Sequence, residues 1–202
     1  MLCALAYVVV VIGRMPVVLF LKYDPKDIVI TLGGLIWGPM TSFIVSVIVS
    51  IIEMFTISEN GILGCIMNII STCSFACTAS VIYKKRRTLS GAVIGLITGS
   101  LMMILVIMLW NYMIAPIYMG YPREAVAKLL LPVFLPFNML KAGLNAALTF
   151  LLYKPITTAL RKTGYISEAV DKQKKKPIGL WLISGVIIIT CILLILSLNG
   201  II

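Results

Sequence analysis

Apolar residues run along this chain in long unbroken blocks, parted by short polar stretches that recur at the block ends. Continuous blocks without strict alternation predict helices, and a block of about 20 apolar residues is long enough to cross the hydrocarbon of a bilayer. Met1–Leu21 has neither a basic segment before it nor a small-residue cleavage site after it, and it predicts a retained first helix. Lys22-Tyr23-Asp24-Pro25-Lys26-Asp27 is the first polar stretch, followed by a short second helix, Ile28–Trp37, which Gly38-Pro39 should break. Met40–Phe55 is the third, closed by Ser58-Glu59-Asn60-Gly61, a turn signal. Ile62–Tyr83 makes a fourth helix ended by Lys84-Lys85-Arg86-Arg87, and Leu89–Tyr112 a fifth that runs on to Ala115-Pro116. A polar loop over Tyr118–Lys128 leads to a sixth helix from about Leu129 to Leu160, whose start Pro132 and Pro136 should kink or delay. Arg161–Pro177 is polar and basic, and Ile178–Leu198 reads as a seventh span.

Composition narrows this to a membrane. Hydrophobic residues make up 61% of the chain, charged residues 12%, and the mean hydropathy is +1.11. Soluble domains carry about 25% charged residues, so this chain lacks the polar surface to cover a globule in water. Backbone in hydrocarbon must satisfy its own hydrogen bonds, which leaves helices or a closed barrel; the unbroken blocks select helices. The expected fold class is therefore all-α, an integral membrane helical bundle with a six-helix core over 1–160. A basic linker at 161–177 and an additional C-terminal transmembrane helix at 178–202 follow it.

The net charge of +10 does not point to nucleic acid, because the basic residues sit at block ends and form no single face. They read as a topology signal, since short loops rich in lysine and arginine stay cytoplasmic. With Met1 inside, Lys84–Arg87 and Arg161–Lys176 fall inside, the latter with its Lys174-Lys175-Lys176 run. The segments expected outside balance Asp24, Asp27, Glu59 and Glu124 against Lys22, Lys26, Arg123 and Lys128. The expectation is a multi-pass protein of the cell membrane with a cytoplasmic N-terminus. Cys3, Cys65, Cys73, Cys77 and Cys191 lie inside apolar blocks with no CxxC spacing and read as small packing residues. Histidine is absent, which removes the commonest metal ligand and general base. No metal site and no catalytic residue is expected.

Polar side chains inside apolar spans are costly and are functional candidates by default. Here they are Arg14, Glu53, Asn68, Asn111, Asn138, Lys141, Asn145 and Lys154. Arg14 and Glu53 lie near expected outer ends, where snorkelling accounts for them, and Lys154 near the inner end as an anchor. Asn138 and Lys141 are three apart and share a helix face in the outer half of the sixth span. Asn111 lies at similar depth in the fifth, beside Trp110 and Tyr112, and Asn68 about two turns into the fourth. Two readings stand: an outward-facing polar pocket with aromatic walls, or hydrogen bonds that merely join helices. The charged, proline-held Leu21–Asp27 loop lies where it could cover such a pocket. No Walker-type phosphate loop occurs, so any energy for transport must come from a partner or a gradient.

Four segments in order resemble the substrate-binding (S) subunits of energy-coupling factor (ECF) transporters, in their riboflavin-binding branch. They are Leu21-Lys22-Tyr23-Asp24-Pro25-Lys26-Asp27-Ile28, Gly33-Gly34-Leu35-Ile36-Trp37-Gly38-Pro39, Trp110-Asn111-Tyr112 with Pro116-Ile117-Tyr118, and Leu135-Pro136-Phe137-Asn138-Met139-Leu140-Lys141. The resemblance covers roughly residues 1–160. It implies a six-helix bundle that captures a vitamin on its extracytoplasmic side. Such a binder docks on a membrane coupling subunit and two cytoplasmic ATPase subunits, and ATP hydrolysis topples it to open the pocket inward. Carried over residue by residue, Asn111, Asn138 and Lys141 would hydrogen-bond the polar edge of the isoalloxazine ring. Asn68 and the loop of Lys22, Tyr23 and Asp24 would take the remaining polar groups. Riboflavin is then a transported ligand, and no cofactor is implied. The small-residue pattern that packs the family's first helix on the coupling subunit is approximated only by Ala4…Val8 and Ala6…Val10, which makes Ala4 and Ala6 the candidates for partner packing. The seventh apolar block has no counterpart in the family.

Three rivals bound this reading. Another vitamin or precursor in the same transporter class would share the fold and differ in a few pocket residues. An integral membrane lipid-modifying enzyme is disfavoured by the absent histidine and by the lack of clustered membrane-facing acids. A channel or ion-coupled carrier would show buried carboxylates for its ion, and the apolar blocks contain only Glu53.

Overall fold

The computed structural model describes residues 1–18, 21–58, 61–120, 122–162, 184–186 and 188–191. Its elements are α1 (Leu2–Gly13), β1 (Met15–Val18), β2 (Leu21–Tyr23), α2 (Lys26–Trp37), α3 (Pro39–Thr56), α4 (Gly61–Arg86), α5 (Leu89–Met119), α6 (Arg123–Leu129), a π-helical turn (Leu130–Phe134) and α7 (Leu135–Lys162). The all-helical membrane bundle expected from the apolar blocks is what the structure shows. Pro39–Thr56, Gly61–Arg86, Leu89–Ile117 and Arg123–Leu160 are each long and apolar enough to cross a bilayer. Their outward faces are apolar, as Ile97, Leu101, Leu105 and Leu109 of α5 illustrate; lipid, unlike water, makes no demand for polar cover there.

Three expectations change. The first helix does not reach Leu21. It ends at Gly13, Arg14 turns extended, and Pro16 biases the residue before it toward β. The chain then folds back as an antiparallel pair, Met15 opposite Tyr23 and Val18 opposite Leu21. Lys26 and Asp27 are not loop charges either: they open α2 and are buried at 1% and 0% exposure. Within the expected Tyr118–Lys128 loop, Arg123–Leu129 is helical.

Helix α2 has 12 residues, about 18 Å at 1.5 Å per residue, too short to span hydrocarbon alone. Most of it is shielded from lipid: Ile28, Ile30, Thr31, Leu32, Gly33, Gly34 and Leu35 are all buried by neighbouring helices, and only its last residue, Trp37, is exposed. Gly38, at φ +107°, makes the break that Pro39 fixes as the first residue of α3. Gly34 is there for closeness, because a Cβ would fall 1.8 Å from Ser42 Oγ and 2.2 Å from Ser80 Oγ. The same device joins α4 to α5. A Cβ on Gly95 would stand 2.7 Å from the Ala79 carbonyl oxygen, and one on Gly99 2.6 Å from that of Phe75. Small residues four apart let membrane helices touch through their backbones, where dispersion replaces the missing hydrophobic drive. Phe75, Leu96, Met103, Ile107 and Phe150 fill the core around that contact.

The prolines near the start of the sixth span act as expected, in a specific way. Pro132 and Pro136 lack the N–H an α-ladder needs, and the Leu135 N–H reaches back five residues to the Leu130 carbonyl. Regular α7 begins only there. Of the expected linker at 161–177, residues 163–177 lie outside the described residues. Of the expected last helix at 178–202, residues 184–186 and 188–191 are helical and the rest lie outside the description. Cys191 packs with Val17, Tyr23 and Leu144. All five cysteines are free thiols.

Candidate functional site

At one end of the bundle the C-terminal ends of α1, α3 and α5 meet the hairpin and the N-terminal ends of α4 and α7. A cavity of about 830 Å³, part of it open to solvent, lies between them. Leu21, Met67, Ile107 and Phe137 give it apolar walls, and Gly64, one turn before Asn68, adds no side chain to the α4 wall. The polar lining is Arg14, Lys22, Asp24, Ser58, Asn68, Ser71, Asn111, Asn138 and Lys141. The Lys84–Arg87 turn lies at the opposite end of α4.

The π-helical turn sets the α7 wall. It offsets the helix at Leu135, and Asn138 Nδ2 donates to the Phe134 carbonyl at 2.7 Å. A carbonyl only accepts, so the nitrogen takes that side and the Asn138 Oδ1 is left free to accept. One turn on, the Lys141 ammonium stands 3.4 Å from Asp27 Oδ2. Asn111, 3% exposed, lines the cavity, and its side chain hydrogen-bonds no other described residue.

Buried ion pairs underlie the lining. Lys26 Nζ meets Glu53 at 2.7 Å (Oε1) and 2.5 Å (Oε2), both side chains 1% exposed. Glu53 Oε2 also accepts from Asn68 Nδ2 at 3.1 Å. Asp27, in the first turn of α2 where the helix dipole favours an anion, accepts from Thr72 Oγ1 at 2.6 Å and Asn145 Nδ2 at 3.1 Å. Arg14 Nε lies 3.0 Å from Asp24 Oδ1 across the base of the hairpin. Each charge out of water has a partner, the condition under which burial is tolerated.

Of the residues singled out from the sequence, Asn111, Asn138, Lys141, Asn68, Lys22 and Asp24 come together around this cavity. Tyr23 does not line it. Its hydroxyl donates to Asn145 Oδ1 at 2.9 Å within a cluster containing Val17, Phe137 and Leu140. Burial, then the Asp27 and Asp24 carboxylates, push that hydroxyl's pKa up, so it stays a donor. Ala4 is exposed on α1, whereas Ala6 is fully buried against the bundle's own Ile30, Val45 and Ala76, so the alternation of helix faces leaves only Ala4 facing outward. The aromatic wall is Phe137; Tyr112 is exposed.

The charged residues beneath the lining were not anticipated in these roles. Arg14 and Glu53 are paired and do not snorkel, and buried carboxylates are more numerous than the apolar blocks implied. Arg14 and Glu53 stood out as ionisable residues in apolar blocks. Nothing local marks Lys26 or Asp27 as buried, because the partners Glu53, Thr72 and Asn145 are distant in sequence.

Comparison with known proteins matches this architecture. The family model for the ECF transporter substrate-specific component matches residues 1–153. The riboflavin transporter RibU of Staphylococcus aureus (strain TCH60) is 26% identical over 171 residues, 80% of this chain and 89% of that protein. A solved S component of a bacterial ECF transporter is 27% identical and aligns with a TM-score of 0.67 over 80% of this chain and 94% of its own.

Proposed function

Because this chain belongs to the substrate-specific components of ECF transporters, a family of transport subunits and not of enzymes, we propose that the ligand it captures is riboflavin. The observation that carries this reading is the meeting of Asn111, Asn138, Lys141 and Asn68 at one cavity with apolar and aromatic walls. A flat tricyclic ring needs such walls with a few placed donors and acceptors. Lys141 supplies donors, Asn138 an acceptor, and Asn111 can turn either end of its amide to the ring edge. Likeness to a riboflavin transporter over 80% of the chain supports the same ligand.

In this reading residues 1–160 form the binding core, 161–177 a cytoplasmic linker and 178–202 an added transmembrane helix. The N-terminus lies in the cytoplasm and the cavity faces outside. The chain docks on a membrane coupling subunit and two cytoplasmic ATPase subunits, and ATP hydrolysis there topples it to release ligand inward. In the same reading Ala4, which is exposed on α1, packs on that coupling subunit.

The test is the visible absorption spectrum of protein purified without added ligand, followed by fluorescence-quenching titration with riboflavin. A yellow protein with flavin bands, or quenching by the stripped protein, is expected. A colourless protein that leaves riboflavin fluorescence untouched overturns the ligand. Another vitamin found by mass spectrometry of the copurified material would replace it.

A further inference from the structure

The sense in which an asparagine amide faces a ligand is normally free, since its oxygen and nitrogen have nearly the same shape. At Asn68 it is not free. The side chain lines the cavity, and its Nδ2 donates to Glu53 Oε2 at 3.1 Å. Both Glu53 oxygens lie within hydrogen-bond distance of the Lys26 ammonium, in a site from which water is excluded. A carboxylate so paired accepts and does not donate. The amide nitrogen must therefore face Glu53, which turns Oδ1 away from that carboxylate and leaves it free to accept.

We propose that the Lys26–Glu53 pair is a positioning device, with Glu53 locking the Asn68 amide so that the subsite beside it is an acceptor and selects a ligand hydroxyl. The consequence is selective. A ligand carrying a hydroxyl there gains a hydrogen bond, whereas one carrying only a carbonyl meets Oδ1 with another acceptor and leaves both unpaired. This rests on the flavin reading above, in which Asn111, Asn138 and Lys141 hold the ring edge. The hydroxyl opposite Asn68 then belongs to the ribityl chain. Neither Lys26 nor Glu53 touches ligand in this scheme; both act through Asn68.

The experiment compares riboflavin with lumiflavin, which keeps the ring and replaces the ribityl chain by a methyl group. Dissociation constants for both are measured by fluorescence quenching on the full-length wild type, Glu53→Gln and Asn68→Ala. In the glutamine variant the amide can flip, because its partner both donates and accepts. We expect the preference for riboflavin over lumiflavin to fall about tenfold in Asn68→Ala, the ~1.4 kcal/mol of one hydrogen bond, and by a smaller factor in Glu53→Gln, where a flipped amide can still donate to a hydroxyl oxygen. If Glu53→Gln does not fold, the paired replacement Lys26→Met with Glu53→Met removes both charges together and is read in the same way. Equal weakening of the two ligands, or a preference that does not change, overturns the positioning role while leaving riboflavin as ligand. A wild type that binds neither flavin overturns the ligand reading, and this assignment with it.

Discussion

Lys141 and Asp27 approach to 3.4 Å across the α7–α2 contact, the lysine side chain 9% exposed and the aspartate 0%. Lys141 is thus at once part of the cavity lining and half of a buried ion pair. An ammonium has three donors; one is directed at Asp27, and the others remain for whatever occupies the cavity. Asp27 is in turn held by Thr72 of α4 and Asn145 of α7, so this one carboxylate ties three helices together below the site.

Removing one member of the pair should therefore unfold more than it unbinds. Lys141→Ala leaves Asp27 buried without its counter-charge, a loss of about 3–5 kcal/mol in comparable buried pairs. Thermal unfolding in detergent measures it. The double variant Lys141→Met with Asp27→Asn should recover most of that stability and still bind riboflavin more weakly than wild type. Equal instability of single and double variants would show that the two residues are not coupled.

Asn111 separates binding from folding. Its amide bonds to no other described residue, so Asn111→Ala should lower riboflavin affinity about tenfold with little change in the melting temperature of the empty protein. Wild-type affinity in the fluorescence titration would remove Asn111 from the site.

The glycines of α5 predict the reverse. Gly95→Ala drives a methyl group to 2.7 Å from the Ala79 carbonyl oxygen, and overpacking of this kind costs about 1–3 kcal/mol. Gly185→Ala meets none of the described residues within 4 Å and should be close to neutral. Comparing the two melting temperatures checks the contact directly.

Orientation can be read by labelling. In a background whose native cysteines are serine, Lys85→Cys should react with a membrane-impermeant maleimide only from the cytoplasmic side, and Glu124→Cys only from outside. The opposite pattern would invert the proposed topology.

Energy dependence follows from the proposed assembly with a coupling subunit and two ATPase subunits. Vesicles holding this chain alone should accumulate no riboflavin, and uptake should appear when a coupling subunit and its ATPases are added with ATP. Robust ATP-independent accumulation would contradict the scheme.

The sequence made the long spans legible because membrane crossing is a demand on length and composition, which α3, α4, α5 and α7 meet in one stretch each. It also exposed the amides of the site, since Asn111 and Asn138 stand out in apolar surroundings. The hairpin was hidden because Val17 and Leu21 suit a helix or a strand equally; Gly13 and Pro16 were the signals available. The burial of Lys26 and Asp27 could not be read locally. A charge beside a proline turn looks solvated until Glu53 and Asn145, 27 and 118 residues further on, are brought to it by the fold.

The backbone contact at Gly95 and Gly99 has a mechanical consequence. Where two helices touch through main chain, no rotatable side chain lies between them to let one slide, so α4 and α5 travel as a single body. They carry Met67, Asn68, Ile107 and Asn111, so that this half of the cavity wall keeps its shape. Any widening of the aperture that admits or releases a ligand has to come from the opposite side, where the hairpin and the proline-interrupted start of α7 meet it.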